Sequence, residues 1–127
     1  KIVGKDGVDV VFDPVGGDLT EKALRSTGWG GRVLIIGFAS GEISRLPLNL
    51  PLLKGSSLVG AYWGSFRQRN VDADNENLIE LFDFYSNGLV NPHVSAFLPL
   101  SETGKALRIL MDRKAIGKVI IYNDQAE

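Results

Sequence analysis

Residues 8–17 read VDVVFDPVGG, and this stretch decides the fold. Residues 8–12 form an apolar run rich in β-branched side chains, the pattern typical of a strand covered on both faces in a parallel sheet. Pro14 and the pair Gly16 and Gly17 then favour a tight turn. The stretch therefore predicts a buried strand that ends in a sharp change of direction.

A helix and a second strand follow this turn. Asp18 and Glu21 have the spacing of a capping box, so we expect a helix that begins at Asp18 and ends near Gly28. Residues 29–31, WGG, predict a turn, and residues 32–37, RVLIIG, predict a second buried strand. Two buried strands joined through a helix form a right-handed βαβ unit.

The rest of the chain predicts further strands and helices. Residues 38–45 are rich in Ser, Gly and Glu and indicate a loop. The predicted strands are residues 57–63, 94–98 and 118–122. The predicted helices are a short one at 49–54 closed by Gly55, an amphipathic one opened by Asp72 or Asp74 with Leu78, Leu81, Phe82 and Tyr85 as its apolar stripe, and a last one capped by Ser101 and ended by Gly117.

Composition excludes several classes of protein. The 127 residues carry 14 Lys and Arg against 15 Asp and Glu, so no basic excess favours nucleic acid as a partner. The apolar runs fall short of the roughly 20 residues that cross a bilayer. With no cysteine and one histidine the chain offers no disulfide and no plausible metal site, which fits a reducing, cytoplasmic location. The chain opens almost directly on a strand, so we expect a portion upstream of Lys1.

Three glycine-containing loops follow the predicted strands, at residues 13–17, 37–41 and 61–64. Ligands of open α/β sheets bind at the carboxyl ends of the strands, although these glycines could equally serve only as turns. No G-x-G-x-x-G sequence lies between a strand and a helix. If the protein binds a dinucleotide, we therefore expect its pyrophosphate clamp upstream of Lys1.

Three motifs in order resemble the medium-chain dehydrogenases/reductases, and within them the zeta-crystallin-like quinone oxidoreductase branch. They are VVFDPVGG at 10–17, GGRVLIIGFASG at 30–41 and LVGAYWG at 58–64. The resemblance implies an α/β fold in which residues 1–64 are the second half of a nucleotide-binding Rossmann domain. It also implies that residues 65–127 are the C-terminal segment of the catalytic domain, ending in a helix and strand.

The resemblance also implies a function and a site. The chain is expected to be a fragment, inactive alone, of a zinc-independent oxidoreductase that passes hydride or electrons from NADPH, with NADH not excluded, to a quinone or activated enone. No catalytic residue and no metal ligand is assigned within it. The expected cofactor-binding residues are Pro14, Val15, Gly16 and Gly17 along the ribose, Gly37, Phe38 and Ala39 beside the nicotinamide half, and Ala61, Tyr62 and Trp63, whose backbone pairs with the carboxamide.

Other interpretations stay open. One is a non-catalytic interaction or regulatory domain that kept the sheet, and another is an enoyl or acryloyl thioester reductase. Glu42, Arg45 and the cluster of residues 67–69 could guide a charged substrate or simply solvate a loop, and His93 is assigned no role. The region from Leu46 to Leu58 begins with five leucines, at positions 46, 48, 50, 52 and 53, which are many apolar groups for a loop. Together with the edge of the third strand, this region predicts a homodimer.

Overall fold

The structure is a computed structural model that describes residues 3–123. It has the predicted α/β class, with parallel strands connected through helices. The chain divides into two compact units, Lys1–Asp74 and Asn75–Glu127. The division of a parent protein into domains near residue 64 stays a prediction, because compact units of this chain are not domains of a longer one.

The first unit is built on a three-stranded parallel sheet. Its elements are β1 (Val8–Asp13), α1 (Asp18–Ser26), β2 (Thr27–Ile35), α2 (Asn49–Lys54), β3 (Ser57–Gly60) and α3 (Trp63–Arg69). The strands lie in the order β1-β2-β3, and each neighbouring pair is parallel. Parallel neighbours need a crossover, and α1 and α2 lie in the two crossovers. The carboxyl ends of all three strands therefore lie at one edge of the sheet.

The core of this unit lies where α1 packs on β1 and β2. Thr20 and Leu24, one helical turn apart, are buried on α1, and Val33 is buried on β2. The opposite face of the sheet exposes Val10 and Phe12. The prediction that the first strand is covered on both faces is therefore wrong for this chain, because α1 lies on one face only.

The start of α1 differs from the predicted capping box. Gly17, with φ 60°, occupies the cap position, and no side chain caps the helix. Asp18 is the first helical residue, and Glu21 instead forms an ion pair with Arg25 at 2.7 Å. Because the backbone N–H of Gly17 donates to the Glu42 carbonyl, the chain enters the helix through a left-handed conformation that favours glycine.

The start of β2 also differs from the sequence prediction. Val8 pairs with Thr27, and Val10 pairs with Arg32. From the first pair to the second, β1 advances by two residues and β2 by five, so β2 contains extra residues at this point. The glycine-rich segment predicted as a turn is thus an irregularity inside the strand. Gly30, with φ 72°, adopts the backbone conformation that such an irregularity requires.

The third strand is shorter than predicted, and the sequence did not predict α3. Tyr62 and Trp63 favour strands by propensity, but β3 ends at Gly60. The Tyr62 carbonyl accepts the N–H of Phe66 at 3.1 Å, which starts the helix. The rings of Trp63 and Phe66 stack at a centroid distance of 5.4 Å. A contact between residues three apart stabilises a helical turn, and here it overrides the strand propensity.

The helix α4 (Val71–Ser86) begins in the first unit and continues into the second. The second unit further contains β4 (Val94–Pro99), a 3₁₀ turn (Leu100–Glu102), α5 (Thr103–Met111) and β5 (Lys118–Tyr122). Strands β4 and β5 are parallel, as their helical connection requires. Ser101, predicted as the cap of α5, lies in the 3₁₀ turn, and Thr103 begins the helix.

The interior of the second unit contains the buried side chains of Leu98 and Ala106. The apolar stripe predicted on α4 is present, yet Leu78, Leu81, Phe82 and Tyr85 are exposed in this chain. Gly117, with φ 82°, approaches the His93 backbone so closely that a side chain would collide with it. The glycine predicted to release the last strand is therefore required by both conformation and space.

The substitution Leu24→Ala is expected to lower the free energy of unfolding by about 2–5 kcal/mol, because it leaves a cavity at a fully buried position of α1 (0% exposed). The matched control is Leu19→Ala in the same helix, where the side chain is 51% exposed, and its expected effect is within about 0.5 kcal/mol. Urea unfolding of both variants measures the difference. Equal losses would contradict the assignment of the core to this face of α1.

Candidate functional site

The loops after β1 and β2 run side by side at the carboxyl edge of the sheet. The N–H of Ala39 donates to the Pro14 carbonyl at 3.0 Å, and the N–H of Ser40 donates to the Val15 carbonyl at 2.9 Å. The N–H of Gly17 donates to the Glu42 carbonyl at 3.1 Å. Backbone hydrogen bonds thus join two of the three loops that contain the predicted cofactor-binding residues.

The loops after β2 and β3 enclose a cavity of about 390 Å³. Four of its lining residues are predicted site residues, namely Gly37, Phe38, Ala61 and Tyr62, and the others are Ile35, Ile36 and Gly60. The N–H of Ala61 donates to the Ile35 carbonyl at 2.9 Å, which extends the sheet ladder to this point. The structure therefore brings the second and third predicted loops together around one apolar hollow.

A second cavity of about 730 Å³ opens on the uncovered face of the sheet. Its lining combines strand residues with the start of α3: Phe12, Leu34, Ile36, Gly60, Ala61, Tyr62, Trp63, Ser65 and Phe66. Ala61 and Tyr62 line both cavities, whereas Trp63 lines only this one. Aromatic side chains thus form one wall of the space into which a planar ligand could fit.

Gly16 lies directly against Phe38. A Cβ atom at Gly16 would stand 2.5 Å from the Phe38 Cδ1 atom and 3.0 Å from the Glu42 carbonyl oxygen. The position also has φ 73°. Glycine is therefore needed here for both conformation and space, and its absence of a side chain lets the Phe38 ring pack against the first loop.

Gly17 faces a different groove from the other predicted residues. This groove, of about 840 Å³, is lined by charged and polar groups of α1 and the second loop: Asp18, Glu21, Lys22, Glu42, Ser44 and Arg45, together with Gly17 and Ile43. Gly17 thus helps to shape the first loop through its backbone, but it does not line either apolar cavity. Pro14 and Val15 likewise contribute through the carbonyls that bind the second loop.

The backbone at the end of β3 is partly held by the fold. The N–H of Ala61 donates to the Ile35 carbonyl, and the carbonyl of Tyr62 accepts the N–H of Phe66. The peptide group between Ala61 and Tyr62 is trans, so its carbonyl and its N–H point in opposite directions and one bound carboxamide can pair with only one of them.

Asp13 is the last residue of β1. Its side chain is buried, and its carboxylate accepts hydrogen bonds that hold the first loop in place. Its Oδ1 atom accepts the N–H groups of Val15 and Gly16, each at 3.0 Å. Its Oδ2 atom accepts the Thr20 hydroxyl at 2.6 Å. Burial alone would raise the pKa of this carboxyl, but the hydrogen bonds from Thr20, Gly16 and Val15 together outweigh burial and hold the pKa below its ordinary value.

The network extends from Asp13 to the second loop. The Thr20 and Ser44 hydroxyl oxygens lie 2.6 Å apart, and because Thr20 donates its proton to Asp13, Ser44 donates to Thr20. Sequence reasoning missed Thr20 and Ser44 as parts of the site. The sequence did contain a signal for part of this network. Asp13 ends a predicted strand just before Pro14, and an aspartate in such a turn commonly accepts the N–H of the residue two positions later.

Two of the charged residues considered as substrate guides, Arg67 and Arg69, have other partners. The Nε atom of Arg67 donates to the buried Asp74 carboxylate at 2.9 Å, and the Nε atom of Arg69 donates to the Ser65 hydroxyl at 3.1 Å. Within the described part of the chain, no group of three or more His, Cys, Asp or Glu side chains could hold a metal ion. No helix of residues 3–123 combines the length and apolarity needed to cross a membrane.

Comparison with known proteins shows which family the chain is similar to. A family model described as zinc-binding dehydrogenase matches residues 1–121. The chain is 40% identical to quinone oxidoreductase-like protein 2 of Bos taurus over 95% of its own length, which is 35% of that protein. It is also similar to two solved structures. One is an NAD-dependent alcohol dehydrogenase (28% identity, 94% and 32% of the two chains, TM-score 0.78), and the other is a mycobacterial protein complexed with NADPH (25% identity, 93% and 36%, TM-score 0.79).

The substitution Asp13→Asn is expected to make stability less dependent on acid pH. Because the pKa of Asp13 is lowered by folding, its ionised form stabilises the fold above the unfolded-state pKa, and this contribution is lost as the pH falls through the folded-state pKa. Wild type should therefore exceed the variant in unfolding free energy by about 1–3 kcal/mol near neutral pH and approach it in acid. Urea unfolding across the acid range measures the gap. A gap that does not change with pH would contradict the assignment.

Proposed function

This chain belongs to the zinc-binding dehydrogenase family, and we propose that it is the C-terminal part of an oxidoreductase that uses NADPH to reduce a quinone or an activated enone. The resemblance to medium-chain, quinone oxidoreductase-like proteins is confirmed by the family match and by the bovine relative. The chain spans about a third of the length of that relative. The proposed activity is therefore one of the longer protein, to which this chain contributes one wall of the cofactor site.

The observation that carries the proposal is the meeting of two predicted loops around one apolar cavity at the carboxyl edge of the sheet. Gly37 and Phe38 line this cavity from the loop after β2, and Ala61 and Tyr62 line it from the segment after β3. A planar nicotinamide ring suits such a hollow, and main-chain groups of residues 61–63 would pair with its carboxamide and so fix which face of the ring points toward the substrate.

Each loop has a defined task in this proposal. The loop of residues 14–17 lies along the ribose, and the loop of residues 37–39 supports the ring with the Phe38 side chain packed on Gly16. When bound, NADPH supplies the hydride. The residues of this chain orient the ring and exclude water from one side of it. The aromatic wall of Tyr62, Trp63 and Phe66 faces the larger cavity, which suits a planar acceptor such as a quinone.

We propose NADPH as the cofactor in place of NADH because a structural neighbour at 25% identity is described as complexed with NADPH. Another neighbour is described as NAD-dependent, so both cofactors belong in the test. Zinc has no ligand set among the described residues, and the proposal assigns it no step. The absence of cysteine in the chain is the ground on which a cytoplasmic location is proposed.

The substitution Gly16→Ala in the full-length protein is expected to raise the dissociation constant for NADPH about tenfold, because the new methyl group would displace Phe38 from its place beside the ring. The matched control is Gly30→Ala. Gly30 has nearly the same φ, 72° against 73°, but no atom lies within 4 Å of the place that the new methyl group would occupy. Calorimetric titration with NADPH and NADH measures both variants.

The control variant is expected to bind within about twofold of wild type, since it carries the same backbone strain without the collision. Equal weakening in both variants would assign the effect to strain, and no weakening in either would place the cofactor elsewhere. Absence of NADPH and NADH binding to the wild-type protein would overturn the proposed function. Steady-state assays with quinones and enones then identify the acceptor.

A homodimer is also part of the proposal. Strand β3 is an edge strand of the described sheet, and Leu48, Leu52 and Leu53 next to it along the chain are exposed. An unpaired strand edge and an apolar patch both favour association with a second copy. Leu46 and Leu50, which the sequence also suggested, are half-buried in the chain itself. They therefore contribute less to such an interface than the other three leucines.

The substitution Leu52→Lys is expected to convert the dimer to a monomer, because it places a charge in the apolar contact. Leu89→Lys is the control, since Leu89 is similarly exposed (72% against 77%) but lies outside the proposed interface. Sedimentation velocity over a range of protein concentrations measures the oligomeric state. A wild-type monomer at high concentration would overturn the proposal.

A further inference from the structure

Asp13 is a buried carboxylate without a cationic partner in the described part of the chain. It is 5% exposed, and the ion pairs of residues 3–123 do not include it. Burying a charge is costly unless hydrogen bonds satisfy it. Here three donors do so, the N–H groups of Val15 and Gly16 and the hydroxyl of Thr20. Hydrogen bonds alone therefore hold the charge, so the positions of its donors are tightly fixed.

The hydrogen bonds around Asp13 join three segments of the chain, namely the loop after β1, the helix α1 and the loop after β2. Val15 and Gly16 lie in the loop after β1, and Thr20 lies in the first turns of α1. Ser44, which contacts Thr20 at 2.6 Å, lies in the loop after β2. The same two loops are also joined by the backbone bonds from Ala39 to Pro14 and from Ser40 to Val15. Movement of the Asp13 carboxylate would thus shift both loops together.

We infer that Asp13 is a positioning residue, which through Thr20 and Ser44 sets the spacing between the two loops that hold the nicotinamide half of the cofactor. The inference rests on the proposed function. It assigns Asp13 no contact with cofactor or substrate, since its carboxylate is buried on the side of the sheet that α1 covers. Asp13 is connected to the second loop in two ways, through Thr20 and Ser44 and through Gly16, whose backbone it fixes and against which Phe38 packs.

A purely structural role makes a different prediction from a positioning role. Loss of general stability would weaken every part of cofactor binding, whereas a change in loop spacing would weaken only the contacts to the nicotinamide half. 2′-Phospho-ADP, the part of NADPH without the nicotinamide and its ribose, separates the two cases. In the proposed function its phosphates and adenine are held by residues upstream of this chain.

The test uses the full-length protein and the variants Asp13→Ala, Thr20→Val and Thr20→Ser. Thr20→Val keeps the shape of the side chain and removes the hydroxyl, and Thr20→Ser keeps the hydroxyl and is the matched control. Calorimetry is expected to show about tenfold weaker NADPH binding for Asp13→Ala and Thr20→Val. Binding of 2′-phospho-ADP is expected to stay within about twofold of wild type, and Thr20→Ser is expected to resemble wild type throughout.

A second measurement does not depend on the cofactor. Amide hydrogen exchange of Ala39 and Ser40, whose N–H groups bind the first loop, is expected to be faster in Thr20→Val than in wild type or Thr20→Ser. If Asp13→Ala fails to fold, Thr20→Val alone decides. Equal weakening of NADPH and 2′-phospho-ADP binding, or no weakening of either, overturns the inference while the proposed function stands. Wild type that binds neither NADPH nor NADH overturns both.

Discussion

The hydrogen bonding of the Asp13 carboxylate is the constraint on which the carboxyl edge of the sheet depends. A buried charge needs donors at close range, and the fold supplies them from the loop after β1 and from α1. Since Thr20 also contacts Ser44, one ionised group couples the strand end, the helix start and the second loop. The glycines of the first loop permit this arrangement, because Gly16 and Gly17 both have positive φ.

The distribution of apolar surface shows how the rest of the site is built. Helix α1 covers one face of the sheet, and the other face leaves Phe12 exposed together with the aromatic residues that follow β3. Exposed apolar surface of this kind is typical of a face that another part of a protein or a ligand covers. The chain matches about a third of its bovine relative, so more polypeptide is available there to do so. The carboxyl edge of the sheet and this face meet at Ala61 and Tyr62, which line both cavities.

Local pattern predicted most elements of the fold but not all of their boundaries. The strands at 8–12, 94–98 and 118–122 are found where the sequence predicts them, and Gly55 ends α2 in the left-handed conformation as expected. Two of the boundaries that were wrong involve contacts with distant residues. Gly17 rather than Asp18 occupies the cap position of α1 and its N–H binds the Glu42 carbonyl, and the extra residues at the start of β2 lie where this strand pairs with β1.

The sequence by itself determined the order of the strands and, to within a few residues, where they end, and with that the three loops at the edge where a ligand of a parallel sheet binds. Periodicity and turn residues are local properties, so they identify elements and their ends. Only the tertiary structure decided which of these residues meet. Contacts between Gly16 and Phe38, or between Thr20 and Ser44, join positions about 20 residues apart, and they exist because parallel pairing places successive strand ends at one edge.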